Sequence, residues 1–360
     1  MFKKIKSFEK VSFYKLRGND CIIKYSDNSL YVNNFKVFEN VGNQYLIMND
    51  NILVFLNKQY TKQYLFDLGN KSLKSIDNFL AIGKDVIDGN KCLTKKMSND
   101  FLSWQLVSYD IKEDVIVEEY SIRDTLYTYY FDSKIIYQEG EDLVLRSLLG
   151  EYLWKFPLSE LGVDPYEPQK VDSIKDILGV VSNNFWIYTR AGRLICLDLN
   201  TGVIKRKISG NPLDSIVEYH NTQGLGRCYL DEKTGNIVSI SSICFQMING
   251  ETCTLESSCN YLDEDLLGIG KYKSIYAPLH QGDYFTFIAE KENDYGGSRY
   301  IGVFDYVKRK LVWDYEVFTQ EEINQTRNKL VPPQKLYITE DGRKMYIKDF
   351  HDTLHVFERE

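Results

Sequence analysis

Apolar residues in this chain fall in short runs of four or five, and Gly, Asn and Asp break the runs before a helical face can build up. Leu194-Ile195-Cys196-Leu197, Phe185-Trp186-Ile187-Tyr188 and Tyr284-Phe285-Thr286-Phe287-Ile288 are of this kind. Short β-branched and aromatic runs bounded by turn residues read as strands buried on one or both faces. A longer unit recurs around them. An apolar strand ends in Asp or a substitute, a turn carries Thr-Gly or Asn-Gly, and a second strand places a bulky residue eight positions past the Asp. The clearest copy runs from Leu194 to Gly202 and continues from Val203 to Ile208.

Anchored at Asp67, Asp110, Arg146, Asp198, Gln246, Asp305 and Glu358, successive units lie 36 to 59 residues apart, a spacing that suits four strands plus variable loops. Seven anchors predict an all-β, seven-bladed β-propeller, with residues 1–360 as a single domain. Eight blades is the second choice, because Cys21 to Tyr25 and Ser29 to Val32 are able to start an additional short one. The last unit holds only three strand candidates, Lys335 to Ile338, Lys344 to Ile347 and Leu354 to Phe357. The strand-like segment Lys10 to Leu16 precedes the first unit and is expected to supply the fourth. The ring would then be closed by an N-terminal strand joining the last blade, hiding an otherwise unpaired sheet edge.

The repeat resembles the blade repeat of pyrroloquinoline-quinone-like and WD-repeat-like propellers: apolar strand, Asp, two variable residues, Thr-Gly, three residues, Trp. Asp198 to Gly202 carries the first part with Arg206 at the Trp position. Gly150 and Trp154 keep the second part with Arg146 in place of Asp. Asp305 and Trp313 keep both ends and replace Thr-Gly by Lys308-Arg309. A further Asp-x-x-Thr-Gly, Asp231 to Gly235, is out of register and reads as the turn of an inner hairpin. The resemblance implies architecture and carries no activity with it. Quinone-dependent members are typically exported and hold their cofactor with adjacent cysteines and calcium. This sequence has neither a Cys-Cys pair nor a calcium loop of alternating Asp and Asn, so no cofactor is expected.

Composition narrows the function classes. Aromatic residues reach 14%, including 27 Tyr, which favours pleated surfaces over helices. A net charge of −7 argues against nucleic acid, since Lys308-Arg309-Lys310 is the longest kind of basic cluster and no stripe forms. The basic opening Met1 to Lys6 is followed by Ser7-Phe8-Glu9-Lys10 and reads as no export signal, and no apolar run approaches membrane-spanning length. A bacterial-type cytoplasmic location is the expectation. Seven cysteines without a Cys-x-x-Cys pair read as buried, reduced thiols. His351 and His355 share a strand face about 13 Å apart rather than a metal, and His220 and His280 read as satisfied loop histidines. Gly224-Leu225-Gly226 and Gly296-Gly297 read as loops, not phosphate cradles. Trp154 and Trp313 are assigned to core packing.

Three insertions break the β pattern: Pro157 to Pro168, a rigid loop with a helical turn; Ser257 to Gly270, with Asp263-Glu264-Asp265; and a short helix opened by the capping box Thr319 to Glu322 and stopped by Pro332-Pro333. Loops on a rigid scaffold commonly carry binding. The expected function is a non-catalytic protein-binding scaffold whose partner presents a basic face, an immunity-type protein that neutralises a toxin being one version. Asp263, Glu264, Asp265, Tyr166 and Tyr295 are the candidate contact residues. The alternative is a carbohydrate-active propeller, hydrolase or lectin, working with carboxylates at a central depression.

Overall fold

The apolar runs become strands. The computed structural model describes residues 2–43, 47–49, 52–76, 80–88, 90–98, 103–123, 126–211, 214, 219–220, 225–241, 244–260, 268–332 and 334–360. They form eight sheets, each with at least four strands, the arrangement of a β-propeller with eight blades. Blades 1 to 8 are built on residues 11–38, 47–76, 80–123, 126–157, 174–209, 227–260, 274–316 and 337–359. The count corrects the expectation of seven. All seven sequence anchors fall on third strands, those of blades 2 to 8. Blade 1 escapes because its third strand, Leu30–Val32, has three residues and returns through Asn33, in the left-handed region at φ 55°, without an Asp.

Blade 8 contains Tyr337–Ile338, Lys344–Lys348 and Leu354–Arg359, and its fourth strand is indeed N-terminal. That strand is Phe2–Phe8, however, paired antiparallel from Phe2 opposite Arg359 to Phe8 opposite Leu354. Lys10 to Leu16 falls instead in the first strand of blade 1, Val11–Arg17. The charges of Phe2–Phe8 suit its place. Lys3, Lys4 and Lys6 are exposed on an outermost strand, where lysines discourage pairing with other chains.

The repeat's Asp has a physical task. Asp198 Oδ1 accepts the backbone N–H groups of Asn200 and Thr201 at 3.0 Å each, closing the turn between third and fourth strands. Asp67 and Asp110 do the same for Gly69 and Asn70, and for Lys112 and Glu113. In blade 6 this role belongs to Asn249, whose Oδ1 accepts from Glu251 and Thr252 at 2.9 Å, so the anchor there is not Gln246. In blade 4 Ser147 replaces it, bonding to the Glu151 N–H at 3.1 Å, and Arg146 is the neighbour. A side chain that accepts from the backbone two and three residues ahead mimics a turn and fixes its direction. Asp231 accepts the Lys233 N–H and the Thr234 hydroxyl at the inner hairpin of blade 6, where Asp231 pairs with Asn236.

By contact the chain divides into two compact units, residues 27–207 and residues 1–26 with 208–360. In the first, the core lies between successive sheets. Leu143, Leu145, Trp154 and Phe156 of blade 4 pack with Phe185, Ile187, Ile195 and Leu197 of blade 5. The Trp154 indole donates from Nε1 to the Leu199 carbonyl at 2.7 Å, and its ring covers Gly202. In the second unit, Val238 and Phe245 of blade 6 meet Phe285, Phe287 and Phe304 of blade 7, and Ile301 and Val303 of blade 7 meet Met345, Ile347 and Phe357 of blade 8.

The insertions are as expected at Leu158–Leu161, one turn of 3-10 helix, and at Gln320–Thr326, an α-helix whose Thr319 and Glu322 cap each other. The helix stops earlier than Pro332. Arg327 turns left-handed at φ 60° and donates its N–H to the Ile323 carbonyl. Pro333 lies outside the described residues.

Candidate interaction surface

Three buried polar groupings bring titratable side chains together. In blade 8, Asp349 accepts from the backbone of His351 and Thr353 and from Asn328 Nδ2, all at 2.9 Å, and faces His355 Nε2 at 2.7 Å. His355 Nδ1 lies 3.2 Å from Ser7 Oγ. The line of carboxylate, imidazole and hydroxyl has the order of a hydrolytic triad. Burial opposes the charge on Asp349, but His355 and the other donors prevail and hold its carboxyl below the ordinary range. The Ser7 hydroxyl stands on a paired strand, and what the network does is tie Phe2–Phe8 to the turn of blade 8. His351 contributes its backbone to the same turn.

In residues 27–207, Arg193 and Asp172 are both buried. Arg193 Nη1 lies 3.0 Å from Asp172 Oδ2 and 2.8 Å from the Leu161 carbonyl, and Nη2 donates to Val163 at 2.6 Å. This arginine binds the 157–172 loop to blade 5. In the other unit, His280 sits on the strand Ser274–Gln281 rather than in a loop, with Nε2 3.2 Å from Tyr306 Oη, which donates to Asp231 at 2.9 Å. Burial pushes the His280 imidazole below its usual value. His220 lies in the two-residue strand Tyr219–His220, its side chain outside the described residues. Cys21, Cys92, Cys196, Cys228 and Cys244 are buried free thiols, and burial pushes Cys21 up to about 12.

Asp263, Glu264 and Asp265 lie outside the described residues, as do Asn99, Asp100 and Gly224. Tyr166 and Tyr295 are 74% and 72% exposed, on turns closed by several backbone hydrogen bonds. The Tyr166 N–H donates to Asp164 Oδ1 at 2.8 Å, and Lys170 closes the loop onto the Glu167 carbonyl. Tyr295 is held through its backbone by Gln320 of the helix, at 3.2 Å to its N–H and 2.7 Å to its carbonyl. Beside it, Asp294 takes Arg299 Nε and Nη2 at 2.8 and 2.7 Å. Each tyrosine belongs to a different compact unit.

One surface escaped sequence reading. Trp313 is not core. It is half-buried and lines a cleft of about 640 Å³ with Phe2, Tyr284, Ile338, Lys308, Lys310 and Arg359. Its ring meets Phe2 at 5.4 Å and Phe357 at 5.8 Å, both edge-on, and stacks on Tyr315 at 6.0 Å. Trp154 docks on the turn that joins third and fourth strands of the next blade. The corresponding pair of strands in blade 8 comes from opposite ends of the chain, so Trp313 meets Phe2 and an open cleft instead. The signal was present in Lys308-Arg309-Lys310 standing directly before Leu311-Val312-Trp313.

No family model and no curated protein matches the sequence. Solved structures are similar in fold. BamB from Moraxella catarrhalis is 12% identical with a TM-score of 0.52, each chain covered in full. The C-terminal WD40 domain of Sif2 is 10% identical with a TM-score of 0.59 over 100% of this chain and 99% of that one. The computationally designed Ika8 protein is 12% identical with a TM-score of 0.54 over 99% and 98%. At these identities the likeness is one of propeller architecture.

Proposed function

We propose that the chain is a non-catalytic protein-binding scaffold, residues 1–360 working as one domain. The observation that carries the reading is the pair Tyr166 and Tyr295. Each is a large aromatic left about three-quarters in water on a backbone already fixed by hydrogen bonds. An exposed tyrosine on a fixed turn offers wide contact area for the fixing of only two side-chain torsions, which suits a hot spot. Propeller architecture supports the same reading, because loops on a stiff β frame vary without disturbing it. The net charge of −7 suits a partner with a basic face, and a toxin neutralised by an immunity-type protein in a bacterial cytoplasm is its most concrete form.

The test is quantitative co-purification from the native host with the tagged chain and its Tyr166→Ser/Tyr295→Ser variant. A stoichiometric protein partner that the variant loses, with unchanged melting, supports the scaffold. Recovery of no partner, or of one indifferent to both tyrosines, counts against it. Co-expression with the recovered partner then asks whether the chain relieves its toxicity.

A further inference from the structure

Blade 7 ends on the strand Lys310–Glu316, which is paired with Tyr300–Asp305 on one side only among the described residues. A bulge at Val312 shifts its register, since Val303 opposes Trp313 while Phe304 opposes Leu311. Leu311 therefore packs with the core shared with blade 6, whereas Trp313 and Tyr315 pack with the core shared with blade 8. Two clefts flank the strand. The 640 Å³ cleft holds Phe2, Trp313, Lys310 and Arg359, and a second of about 370 Å³ is lined by Gly268, Gly270, Lys271 and Leu311. Val312, Trp313 and Asp314 line both, so the strand runs between them.

The charges of the wider cleft do not cancel. Asp305 is taken by Lys308 at 2.8 Å, Asp314 by Lys271 at 2.7 Å and by the Tyr272 hydroxyl, and neighbouring Glu316 by Arg299 at 3.1 Å. Lys310 and Arg359 are exposed and have no side-chain partner among the described residues. Two uncompensated cations thus stand beside an indole and a phenyl ring in a protein that is otherwise acidic. The chain also supplies a precedent for adding a strand to a blade's outer edge: Tyr219–His220 runs parallel to Ile208 and Ser209, residue against residue.

We propose that the free edge of Lys310–Glu316 takes an extended acidic segment of a partner protein. This rests on the scaffold reading and names the class of segment one surface accepts. Main-chain hydrogen bonds along the edge would hold the segment, and its alternate side chains project to opposite sides of the sheet, one set into each cleft. An aromatic or large aliphatic side chain seats against Trp313 and Phe2, and carboxylates reach Lys310 and Arg359. The cations select sign and speed encounter, and the apolar floor holds the complex.

The test uses the full chain and a fluorescein-labelled octapeptide in which phenylalanine alternates with glutamate. Its controls are the lysine counterpart and two isomers N-methylated on alternate amides, one set per strand edge. Polarisation is expected to show binding of the glutamate peptide, with losses of about tenfold or more for the lysine peptide, for one N-methyl isomer only, and for the Lys310→Glu/Arg359→Glu variant. Both substituted residues are exposed, and unchanged melting confirms folding. Equal binding of glutamate and lysine peptides, equal binding of both isomers, indifference to charge reversal, or full competition by free phenylacetate overturns the proposal. A host partner captured undiminished by the charge-reversed chain sinks the cleft and leaves the scaffold standing. Absence of any partner for the unmodified chain sinks the scaffold while the peptide result stands on its own.

Discussion

Replacing Gly202 by alanine probes how one blade docks on the next within residues 27–207. Gly202 sits at φ +72°, where an L side chain costs about 1 kcal/mol. A Cβ there would fall 2.9 Å from Cδ2 and Cε3 of Trp154, so the indole has to move. Displacing a packed ring costs about 1–3 kcal/mol, and loss of its 2.7 Å hydrogen bond to the Leu199 carbonyl about 1 more. Gly202→Ala should therefore destabilise by about 3–5 kcal/mol. Trp154→Ala should cost about 3–5 kcal/mol on its own through the cavity it leaves. With the ring gone, the three nearest contacts of the alanine go with it, and the backbone cost of about 1 kcal/mol is what remains. A double-mutant cycle by urea unfolding should thus return a coupling of about 2–4 kcal/mol, the second substitution far less harmful than the first. Additivity within about 0.5 kcal/mol would refute the docking of Trp154 on this turn.

Asp172→Ala leaves the Arg193 guanidinium buried without its counter-charge and should cost about 3–5 kcal/mol by the same unfolding assay, a surface-sized effect being contrary. The Lys205 ammonium, together with N–H donors of the turn, brings Asp198 down from 3.8 to about 2. A depressed carboxyl contributes stability that is complete above its unfolded value and fades as pH falls through the folded one. Melting temperature should therefore decline from pH 4 towards pH 2, and less steeply in Asp198→Asn. Lys3 and Glu358 are cross-strand partners, so Lys3→Cys/Glu358→Cys should oxidise to a disulfide joining the two ends, visible as altered migration on a non-reducing gel. No bridge under native conditions would contradict the pairing.

The repeat could be read from sequence because its chemistry is local. An Asp accepting from backbone amides two or three residues ahead closes the third strand at Asp67, Asp110, Asp198 and Asp305, and the spacing between such copies separates them from the same turn at the inner hairpin of Asp231. Where another side chain closes the turn, the mark slips, to Gln246 for Asn249 and to Arg146 for Ser147. It vanishes at Asn33, and a whole blade vanishes with it. Phe2–Phe8 was missed for the opposite reason. Its lysines are set by its place at a sheet edge, which only the assembled blade reveals. The cleft at Trp313 depends on which strand lies beside Arg359, and that pairing spans almost the full chain. Arg193 meeting Asp172, and His355 meeting Ser7, are likewise long-range events with no spacing to betray them.

Photo-crosslinking most directly tests whether fixed, exposed aromatics make this propeller a scaffold. With p-benzoylphenylalanine at positions 166 and 295, and at position 149, where Leu149 is 93% exposed, as control, irradiation in the native host should yield one discrete adduct from the tyrosine positions and none from the control. Adducts from all three positions alike, or from none, would contradict the account.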